Sequence, residues 1–238
     1  MGMVKTLPLR EDFWLSDILD KPCYQIRVDA HDLSDFVLPE ELQKNSFAFA
    51  KIPVDDLKSC QHLQSCGFHL VDTQVLFEKM VSSSSLFCEG VRWTRVEDKK
   101  AVREVACNSF RYSRFHADAV VSVLQANRIK KEWAGNYYEG RRGDHMAVAE
   151  QEGEIQGFLQ LIDTKGDLLI DLIAVSQKFR SQGVAKSLIA FVQNELPNKK
   201  KIKVGTQLAN TPSIRLYETM GFTLHSSYYV FHYHKDVE

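Results

Sequence analysis

Hydrophobic and polar positions alternate with two different periods along the chain, and each period predicts a different kind of element. In the first third, alternation over residues 47–52 predicts a strand. A helical pattern follows over residues 54–66, and Gly67 ends it before a strand over residues 68–71. A run of serines at residues 82–85 then breaks the pattern and predicts a linker.

After the serines, two helical patterns precede a region dominated by strands. The predicted helices are residues 98–110, 121–137, 183–196 and 211–220, and the predicted strands are residues 146–150, 155–162, 168–175, 202–208 and the final segment. Thr211-Pro212 has the chemistry of a helix start, because threonine caps a helix and proline suits its first position. This order of elements predicts an α/β or α+β domain.

The serine run divides the chain into three predicted segments. They are a small N-terminal α/β domain over residues 1–81, a linker over residues 82–89 and a larger domain over residues 90–238.

One short sequence occurs in related form in both larger segments. Residues 63–70 resemble residues 217–224, because each has the end of a helix, a glycine and then a strand that opens with phenylalanine. Two interpretations stay open: such a connection is common in proteins, and it also fits a degenerate duplicated half. In either case Leu63 stands where Tyr217 stands in the later copy, so the first copy has no phenol there.

Composition and charge exclude several classes of protein. The 238 residues are 44% hydrophobic and 26% charged, which is typical of a soluble chain with a sizeable core. Its 30 basic residues face 31 acidic ones, and the net charge of −1 argues against a nucleic-acid binder. No apolar run approaches the ~18 residues of a membrane span, and no leader pattern opens the sequence, so we expect no membrane partner. Five cysteines without CxxC or zinc spacing predict reduced thiols, a cytoplasmic protein and no metal site.

Residues 172–185 join a buried strand to a helix through a turn of small residues, with the core pattern Arg180-x-x-Gly183-x-Ala185. Small residues let the backbone approach a ligand closely, and the start of the helix offers N–H groups and positive partial charge. Such a turn suits a pyrophosphate. It is neither a Walker sequence nor a GxGxxG dinucleotide fingerprint.

Three features occur together here: this turn, the Leu-Ile-Ala-Val strand before it, and the spacing of Asn210, Tyr217 and Gly221-Phe222 after it. With this combination, residues 91–233 resemble the GNAT acyltransferase superfamily. The resemblance implies the GNAT fold, with a central mixed, mostly antiparallel sheet and flanking helices after the small N-terminal domain. It also implies an acyl-CoA-dependent N-acyltransferase, with acetyl-CoA or another short acyl-CoA as co-substrate and no metal.

The resemblance further implies a role for each residue of the motif. The backbone N–H groups of the turn would bind the CoA pyrophosphate, and they belong to Arg180, Ser181, Gln182, Gly183, Val184 and Ala185. The strand edge at Ile173 and Val175 would pair with the pantetheine amides like an added strand. Asn210 would hydrogen-bond the cofactor's arm or the acyl region. Tyr217 would protonate the leaving thiolate, because a phenol stays protonated at neutral pH.

Four stretches resemble bacterial TDP-fucosamine acetyltransferases more closely, and together they span nearly the whole chain. They are residues 67–72, 113–115, 206–211 and the helix that carries Tyr217. The resemblance implies a dTDP-linked 3- or 4-amino dideoxysugar as the acyl acceptor, and a homodimer. Leu216 stands where these enzymes can carry arginine, and Asp72 stands where they carry glutamate, so the identity of the sugar stays open.

An acceptor amine must lose a proton before it attacks a thioester, so a base or a water chain is required. Asp171 is one candidate, because strand alternation places it on the face that carries Ile173. Asp72 is a second candidate, which the closer resemblance supports. His116 and Asp118 follow the Ser-Arg-Phe element and are further candidates.

A nucleotide diphosphate also needs cations. Arg114 is the first candidate, because a guanidinium binds phosphate through two hydrogen bonds. Ser113 and His116 flank it and are candidates for the same substrate, while Arg141 and Arg142 are weaker options.

Three further expectations complete the sequence prediction. His232 and His234 share one strand face without a third ligand nearby, which predicts packing rather than a metal site. The predicted reaction is direct attack in a ternary complex, since no cysteine or serine lies in a nucleophile motif. Two alternatives stay open: another small amine or a peptide N-terminus as the acceptor, and a non-catalytic acyl-CoA-binding module, against which Tyr217 counts.

Overall fold

The structure is a computed structural model that describes residues 5–27, 36–85 and 89–236. The strands are β1 (Lys5–Thr6), β2 (Leu9–Glu11), β3 (Cys23–Ile26), β4 (Phe36–Val37), β5 (Ser46–Pro53), β6 (His69–Met80), β7 (Val91–Trp93), β8 (His145–Gln151), β9 (Glu154–Thr164), β10 (Asp167–Val175), β11 (Lys201–Gln207) and β12 (Thr223–Lys235). The α-helices are α1 (Phe13–Leu19), α2 (Leu57–Ser65), α3 (Lys99–Ser109), α4 (Arg114–Ala117), α5 (Val123–Tyr138), α6 (Val184–Glu195) and α7 (Thr211–Thr219). Cys88 and residues 86–88 of the predicted linker lie outside the described residues, and the thiols of Cys23, Cys60, Cys66 and Cys107 are free.

Ten strands form one sheet in the order β2-β3-β5-β12-β6-β11-β10-β9-β8-β7, and β1 pairs with β4 in a separate ribbon. Within the described ranges only two neighbouring pairs of the large sheet are parallel, β3 with β5 and β10 with β11. The predicted mixed, mostly antiparallel sheet with flanking helices is confirmed. The C-terminal strand β12 lies between β5 and β6, so the sheet runs across the predicted linker, and the division into domains stays a prediction about the chain.

Helices cover both faces of the sheet. The helices α6 and α7 pack over side chains such as Ile170 and Val204 on one face. On the other face α3 and α5 pack over Phe158 and Leu172. In the part of the chain that the structure describes, no helix combines the length and the apolar character needed to cross a membrane.

The related sequences around Leu63 and Tyr217 have the same local structure. Each lies in a nine-residue helix, α2 or α7, whose N-cap side chain accepts a hydrogen bond from the backbone three residues on; the caps are Asp56 and Asn210. Each helix is followed by a glycine with φ of 90° (Gly67) or 81° (Gly221), which a residue without Cβ adopts without strain. The strands that follow, β6 and β12, pair with each other, and each also pairs with the strand before the other's helix.

Candidate active site

Two parallel strands diverge near the middle of the sheet. β10 and β11 pair over three residues, ending at Ile170 with Val204. Beyond that pair, β11 follows β6 while β10 follows β9 as far as Val175. Within the described residues, no strand therefore lies beside the edge of β10 at Ile173 and Val175. A cavity of about 1090 Å³ lies along this gap and extends to residues of β5, α4 and α5.

The turn predicted to bind pyrophosphate joins β10 to α6 and lines this cavity. Gly183 is the N-cap of α6 with φ of 87°, and no side chain caps the helix. The first N–H groups of a helix have no partner within it, so those at Val184 and Ala185 are available to an anion. Ser181 also has a left-handed backbone, with φ of 62°, which bends the turn before the helix begins.

Two side chains of the turn hold its shape. The guanidinium of Arg180 donates to the carbonyl oxygen of Ser109 at 2.6 Å and to that of Val175 at 3.3 Å, which ties the turn to α3 and to the end of β10. The amide of Gln182 donates to the carbonyl oxygen of Lys178 at 3.1 Å, and Gln182 does not line the cavity. With both side chains occupied, only backbone N–H groups are left for the predicted contact with pyrophosphate, and that of Arg180 already donates to the carbonyl oxygen of Gln177 at 3.4 Å.

Tyr217 and Asn210 lie on the opposite wall of the gap. Tyr217 lines the cavity, but its ring is 2% exposed and packs against Phe77 and Phe222. Burial raises the pKa of its phenol above the ordinary value, so the group keeps its proton throughout the neutral range. Asn210 also lines the cavity, where it caps α7 and donates through Nδ2 to Thr206 Oγ1 at 3.0 Å.

A bulge at Asp171 overturns the prediction that this residue shares a face with Ile173 and Val175. The register between β9 and β10 shifts between Ile170 and Leu172, so Asp171 is the additional residue. As a result, Ile170 packs on the α6 side and Leu172 on the α3 and α5 side, although both positions are even. Ile173 and Val175 turn toward the α6 side.

The carboxylate of Asp171 points instead toward α5 and is fully engaged there. It accepts hydrogen bonds from Trp133 Nε1 at 2.8 Å, from Gln160 Nε2 at 3.1 Å and from Arg142 Nε and Nη2 at 2.7 and 2.6 Å. Four donors on a carboxylate that is 5% exposed indicate an anchor for these side chains. Arg141, the neighbouring weaker candidate, pairs with Glu139 and does not line the cavity.

Asp72 lies beside the cavity without lining it, and one of its carboxylate oxygens has no hydrogen-bond partner among the described residues. It lies on the same face of β6 as Gln74 and opposite Val230 of β12, and both of those residues line the cavity. Its Oδ1 accepts from the backbone N–H of Thr73 at 2.7 Å, whereas Oδ2 is buried without a hydrogen-bond partner among the described residues. Burial raises the pKa of Asp72 to about 6.

Arg114 lines the cavity, and its guanidinium lies over two aromatic rings, 3.8 Å from the centroid of Phe49 and 4.2 Å from that of Phe115. Ser113 also lines the cavity, but it acts as the N-cap of α4. His116 does not line it: its Nδ1 bonds Ser113 Oγ at 2.6 Å and its Nε2 bonds Asn127 Oδ1 at 2.9 Å. Burial lowers the pKa of His116, so the ring is a neutral structural link rather than a substrate contact.

The prediction that His232 and His234 lack a third ligand nearby is wrong. Asp118 Oδ2 lies 2.5 Å from His232 Nδ1 and 2.7 Å from His234 Nε2. These three side chains are the group that could hold a metal ion, with ligand atoms within 4.8 Å of one another. Direct hydrogen bonds already satisfy Asp118, and the Arg114 cation lies 3.0 Å from His232 Nε2, which disfavours a second cation there.

Sequence reasoning missed two lysines in the cavity wall, Lys51 and Lys130. Lys51 is the charged residue of a mostly apolar strand, and alternation places it on the face of Phe49, a signal that was available. Lys130 lies in the apolar stripe of α5, four residues after the buried Ala126. Burial and the neighbouring cation of Arg114 together lower the pKa of each ammonium to about 8.

Comparison with known proteins agrees with this geometry. The Acetyltransferase (GNAT) family matches residues 102–222, about half of the chain. The spore coat polysaccharide biosynthesis protein SpsD of Bacillus subtilis is 28% identical over 237 residues, covering 93% of this chain and 81% of that protein. The dTDP-fucosamine acetyltransferase of Escherichia coli O6:H1 is 26% identical over 196 residues, covering 80% of this chain and 83% of the enzyme.

A solved structure shares the fold. The GCN5-related N-acetyltransferase from Sphaerobacter thermophilus superimposes with a TM-score of 0.56 at 16% identity over 84% of this chain. This chain spans 64% of that protein, just under two thirds of its length. At this identity the likeness shows the fold alone, and it confirms the predicted arrangement of sheet and helices.

Proposed function

The chain belongs to the GNAT acetyltransferase family as an acyl-CoA-dependent N-acyltransferase, and on that premise we propose that it transfers the acetyl group of acetyl-CoA to the amino group of a nucleotide-linked amino dideoxysugar. One observation carries the proposal: a single cavity joins the turn before α6 to a wall on β5, α4 and α5 that carries Lys51, Arg114 and Lys130. An acceptor amine with an attached diphosphate fits such a wall. The names of the two relatives, one in polysaccharide biosynthesis and one a dTDP-fucosamine acetyltransferase, support the same class of acceptor.

The donor side fits acetyl-CoA, which supplies the activated acyl thioester. The N–H groups at the start of α6 suit its pyrophosphate, and Gly183 gives the turn a backbone that other residues adopt with strain. The unpaired edge of β10 at Ile173 and Val175 suits the pantetheine amides, which can hydrogen-bond as a further strand does. Asn210 lies beside the gap and can orient the acyl end.

Tyr217 is the proposed general acid. Its phenol lines the cavity on α7 and keeps its proton at neutral pH, so it can protonate the thiolate that leaves when the amine attacks. A non-catalytic acyl-CoA-binding module would have no use for a cavity-lining phenol at this position.

Asp72 is the proposed general base, in preference to Asp171. Asp72 has one buried oxygen without a partner and a pKa of about 6, so at neutral pH it is ionised and able to accept a proton. The oxygens of Asp171 are already occupied by four donors. The proton passes from the acceptor's ammonium to Asp72 directly or through water, before nitrogen attacks the carbonyl carbon.

The wall opposite the turn argues against two other acceptors. Among the described residues that line the cavity outside the turn and α6, five are lysine or arginine and one, Asp171, is acidic. Such a wall disfavours polyamines and basic peptide N-termini, because like charges repel at close range. The cytoplasm as its compartment and a homodimer as its assembly stay predictions.

The test is release of CoA thiol from acetyl-CoA with a panel of matched acceptors. The panel contains dTDP-linked amino dideoxysugars, the same dTDP-sugars with hydroxyl in place of the amine, and the amino sugars without a nucleotide. We expect release with an amino sugar nucleotide and none with its hydroxyl analogue. Equal kcat/KM for the free amino sugar and its nucleotide conjugate would contradict the proposal, because the nucleotide would then contribute nothing to recognition.

A further inference from the structure

Three cations on β5, α4 and α5 face the cavity without an acidic partner among the described residues. Lys51, Arg114 and Lys130 form no ion pair with any carboxylate of that part of the chain, whereas most of its buried or half-buried cations have one. The same holds for Arg111, Arg180 and Lys186, which line the cavity elsewhere. Asp171 is the one carboxylate in the described lining, and Arg142 neutralises it. The wall therefore carries an excess of positive charge.

Lys130 shows the cost of this arrangement most clearly. It is 9% exposed, and its ammonium has aromatic neighbours instead of a carboxylate, 4.7 Å from the ring centroids of both Phe110 and Trp133. A cation–π contact compensates only part of the hydration that a buried ammonium loses. Protein interiors rarely keep such a charge without a partner, so a partner from outside the chain is indicated.

Lys51 adds a second ammonium from a different part of the fold. It belongs to β5, which three strands separate from β10, and its side chain is exposed to the cavity on the face that carries Phe49. Arg114 lies over the same Phe49 ring at 3.8 Å. All three cations line the same cavity, and the Arg114 charge lowers the pKa of both lysines.

Contacts with three neighbouring side chains hold Arg114 in place. Its Nη1 donates to His232 Nε2 at 3.0 Å, and His232 can accept only because its proton is on Nδ1, where Asp118 Oδ2 lies 2.5 Å away. The two aromatic rings and this one hydrogen bond leave the other guanidinium N–H groups without any carboxylate. A guanidinium fixed in this way is prepared to bind phosphate through two hydrogen bonds.

From these contacts we infer that Lys51, Arg114 and Lys130 form a diphosphate subsite for the acceptor, separate from the turn before α6, with His232 and Asp118 positioning Arg114. The inference rests on the proposed function, and it names the residues that select a nucleotide-linked acceptor over a neutral amine. The donor pyrophosphate and the acceptor diphosphate would then occupy two different anion sites of one cavity.

Calorimetric titration of the protein with dTDP, in the presence of saturating CoA, tests the subsite without any turnover. CoA fills the turn before α6, so the dTDP that binds must use the second site. We expect Lys51→Met and Lys130→Met each to weaken dTDP binding about tenfold or more, because each removes a charge that faces the diphosphate. Lys131→Met is the matched control, since Lys131 is next in the chain but pairs outward with Glu104 at 2.5 Å.

The melting temperatures of the same variants control for effects on folding. Methionine replaces lysine with an apolar chain of similar length, so Lys130→Met is expected to raise the melting temperature while it lowers dTDP affinity. A structural role of the ammonium predicts the opposite change in melting temperature. Wild-type protein that fails to bind dTDP in the presence of CoA, or lysine variants that bind it as wild type does, would overturn the subsite.

The result separates the subsite from the proposed function. Binding of dTDP that depends on Lys51 and Lys130, with no turnover on any amino sugar nucleotide, leaves the subsite standing and contradicts the acceptor class. Turnover of an amino sugar nucleotide with unchanged KM in both variants supports the acceptor class and contradicts the subsite.

Discussion

The guanidinium of Arg114 donates through Nη1 to Nε2 of His232 at 3.0 Å, a hydrogen bond that only a neutral imidazole can accept. Burial lowers the pKa of His232 to about 4, so the ring is neutral at physiological pH. Burial of Asp118 opposes its ionisation, yet hydrogen bonds from His232 and His234 hold the pKa of this carboxyl below its usual range. Asp118 thus keeps the proton of His232 on Nδ1 and leaves Nε2 for Arg114.

Asp118→Asn is therefore expected to weaken acceptor binding. The asparagine amide can donate to Nδ1 of His232, which favours the other tautomer and turns an N–H toward the Arg114 guanidinium. We expect KM for the amino sugar nucleotide to rise about tenfold with a smaller change in kcat, and KM for acetyl-CoA to stay constant. Steady-state kinetics with each substrate varied in turn measure the split.

Two substitutions of His232 separate positioning from folding. Glutamine can place its carbonyl oxygen near the position of Nε2 and accept from Arg114, whereas asparagine is too short to do so. His232→Gln should keep KM closer to wild type than His232→Asn, at similar melting temperatures. Equal KM values for the two variants would argue against a positioning role.

Tyr217→Phe tests the general acid. The substitution removes one hydroxyl from a ring packed against Phe77 and Phe222, so the fold and acetyl-CoA binding should persist. Turnover should fall by ~10²–10⁴-fold, the usual contribution of a positioned acid. Tyr138→Phe is the control, because it removes a half-buried phenol whose partner is Thr94 and which does not line the cavity. Comparable turnover in the two variants would remove Tyr217 from the mechanism.

Asp72→Asn has opposite expected effects on rate and on stability. The folded pKa of about 6 lies above the ordinary 3.8, so the native state binds a proton more tightly than the unfolded state does. Wild-type stability should therefore fall as pH rises from about 4 to about 6 and then level off. Asparagine removes this dependence, so the variant should melt at a higher temperature than wild type above pH 6 and similarly below pH 4.

The same variant should lose most of its turnover at neutral pH, by ~10²-fold or more, because Asp171, the one carboxylate among the described residues that line the cavity, is already held by four donors. In the wild type, kcat/KM should rise through a pKa near 6. Asp171→Asn provides the contrast: it should lower the melting temperature, because Arg142 and Trp133 lose their shared partner. Full activity of Asp72→Asn would leave proton removal to water.

Gly183→Ala isolates the donor side of the cavity. No atom lies within 4 Å of the Cβ that alanine would add, but φ of 87° strains any residue other than glycine, by about 1–2 kcal/mol. The turn should relax away from this geometry and misalign the N–H groups of α6. We expect KM for acetyl-CoA to rise while dTDP binding stays constant, and a change in both affinities would show that the two anion sites are not separate.

The pattern of the sequence predicted most of the elements after residue 46, although it ended β6 at residue 71 instead of Met80 and gave neither β7 nor α4. Strands such as β5 and helices such as α5 are long enough to repeat a period several times. In contrast, α1 has seven residues and β1 to β4 have two to four each, so their structure depends on partners supplied by the rest of the sheet. No periodicity of their own identifies them.

The site was predicted in part. The turn at Gly183 and the phenol of Tyr217 carry local signals, whereas the orientation of Asp171 depends on a bulge that alternation alone cannot reveal. The partners of His232 come from Asp118 and Arg114, more than a hundred residues away, so spacing in the sequence gave no indication of them. The sequence shows Lys51 as a charged residue in a mostly apolar strand, but its proposed function depends on the residues that the fold places opposite it.

The affinity of the diphosphate subsite should depend on pH through its two lysines. Burial lowers the pKa of Lys51 and of Lys130 to about 8, so each loses its charge as pH rises through that value. The charged groups that face them are Arg114, Arg142 and Asp171, together with Asp72 for Lys51 and Lys51 for Lys130. Burial raises the pKa of Asp72 to about 6, so this carboxyl is already ionised where the lysines lose their charge. Affinity for dTDP should therefore fall above pH 8.

Proton uptake on binding gives the sharper measurement. A bound diphosphate favours the ammonium form and raises the pKa of both lysines, so binding at pH 8 should take up about one proton in total, half from each site. Titration of dTDP into the CoA complex, in two buffers of different ionisation enthalpy, reports this number. Lys130→Met should halve the uptake and Lys131→Met should leave it unchanged. Binding at pH 8 without proton uptake would show that the diphosphate does not lie against these lysines.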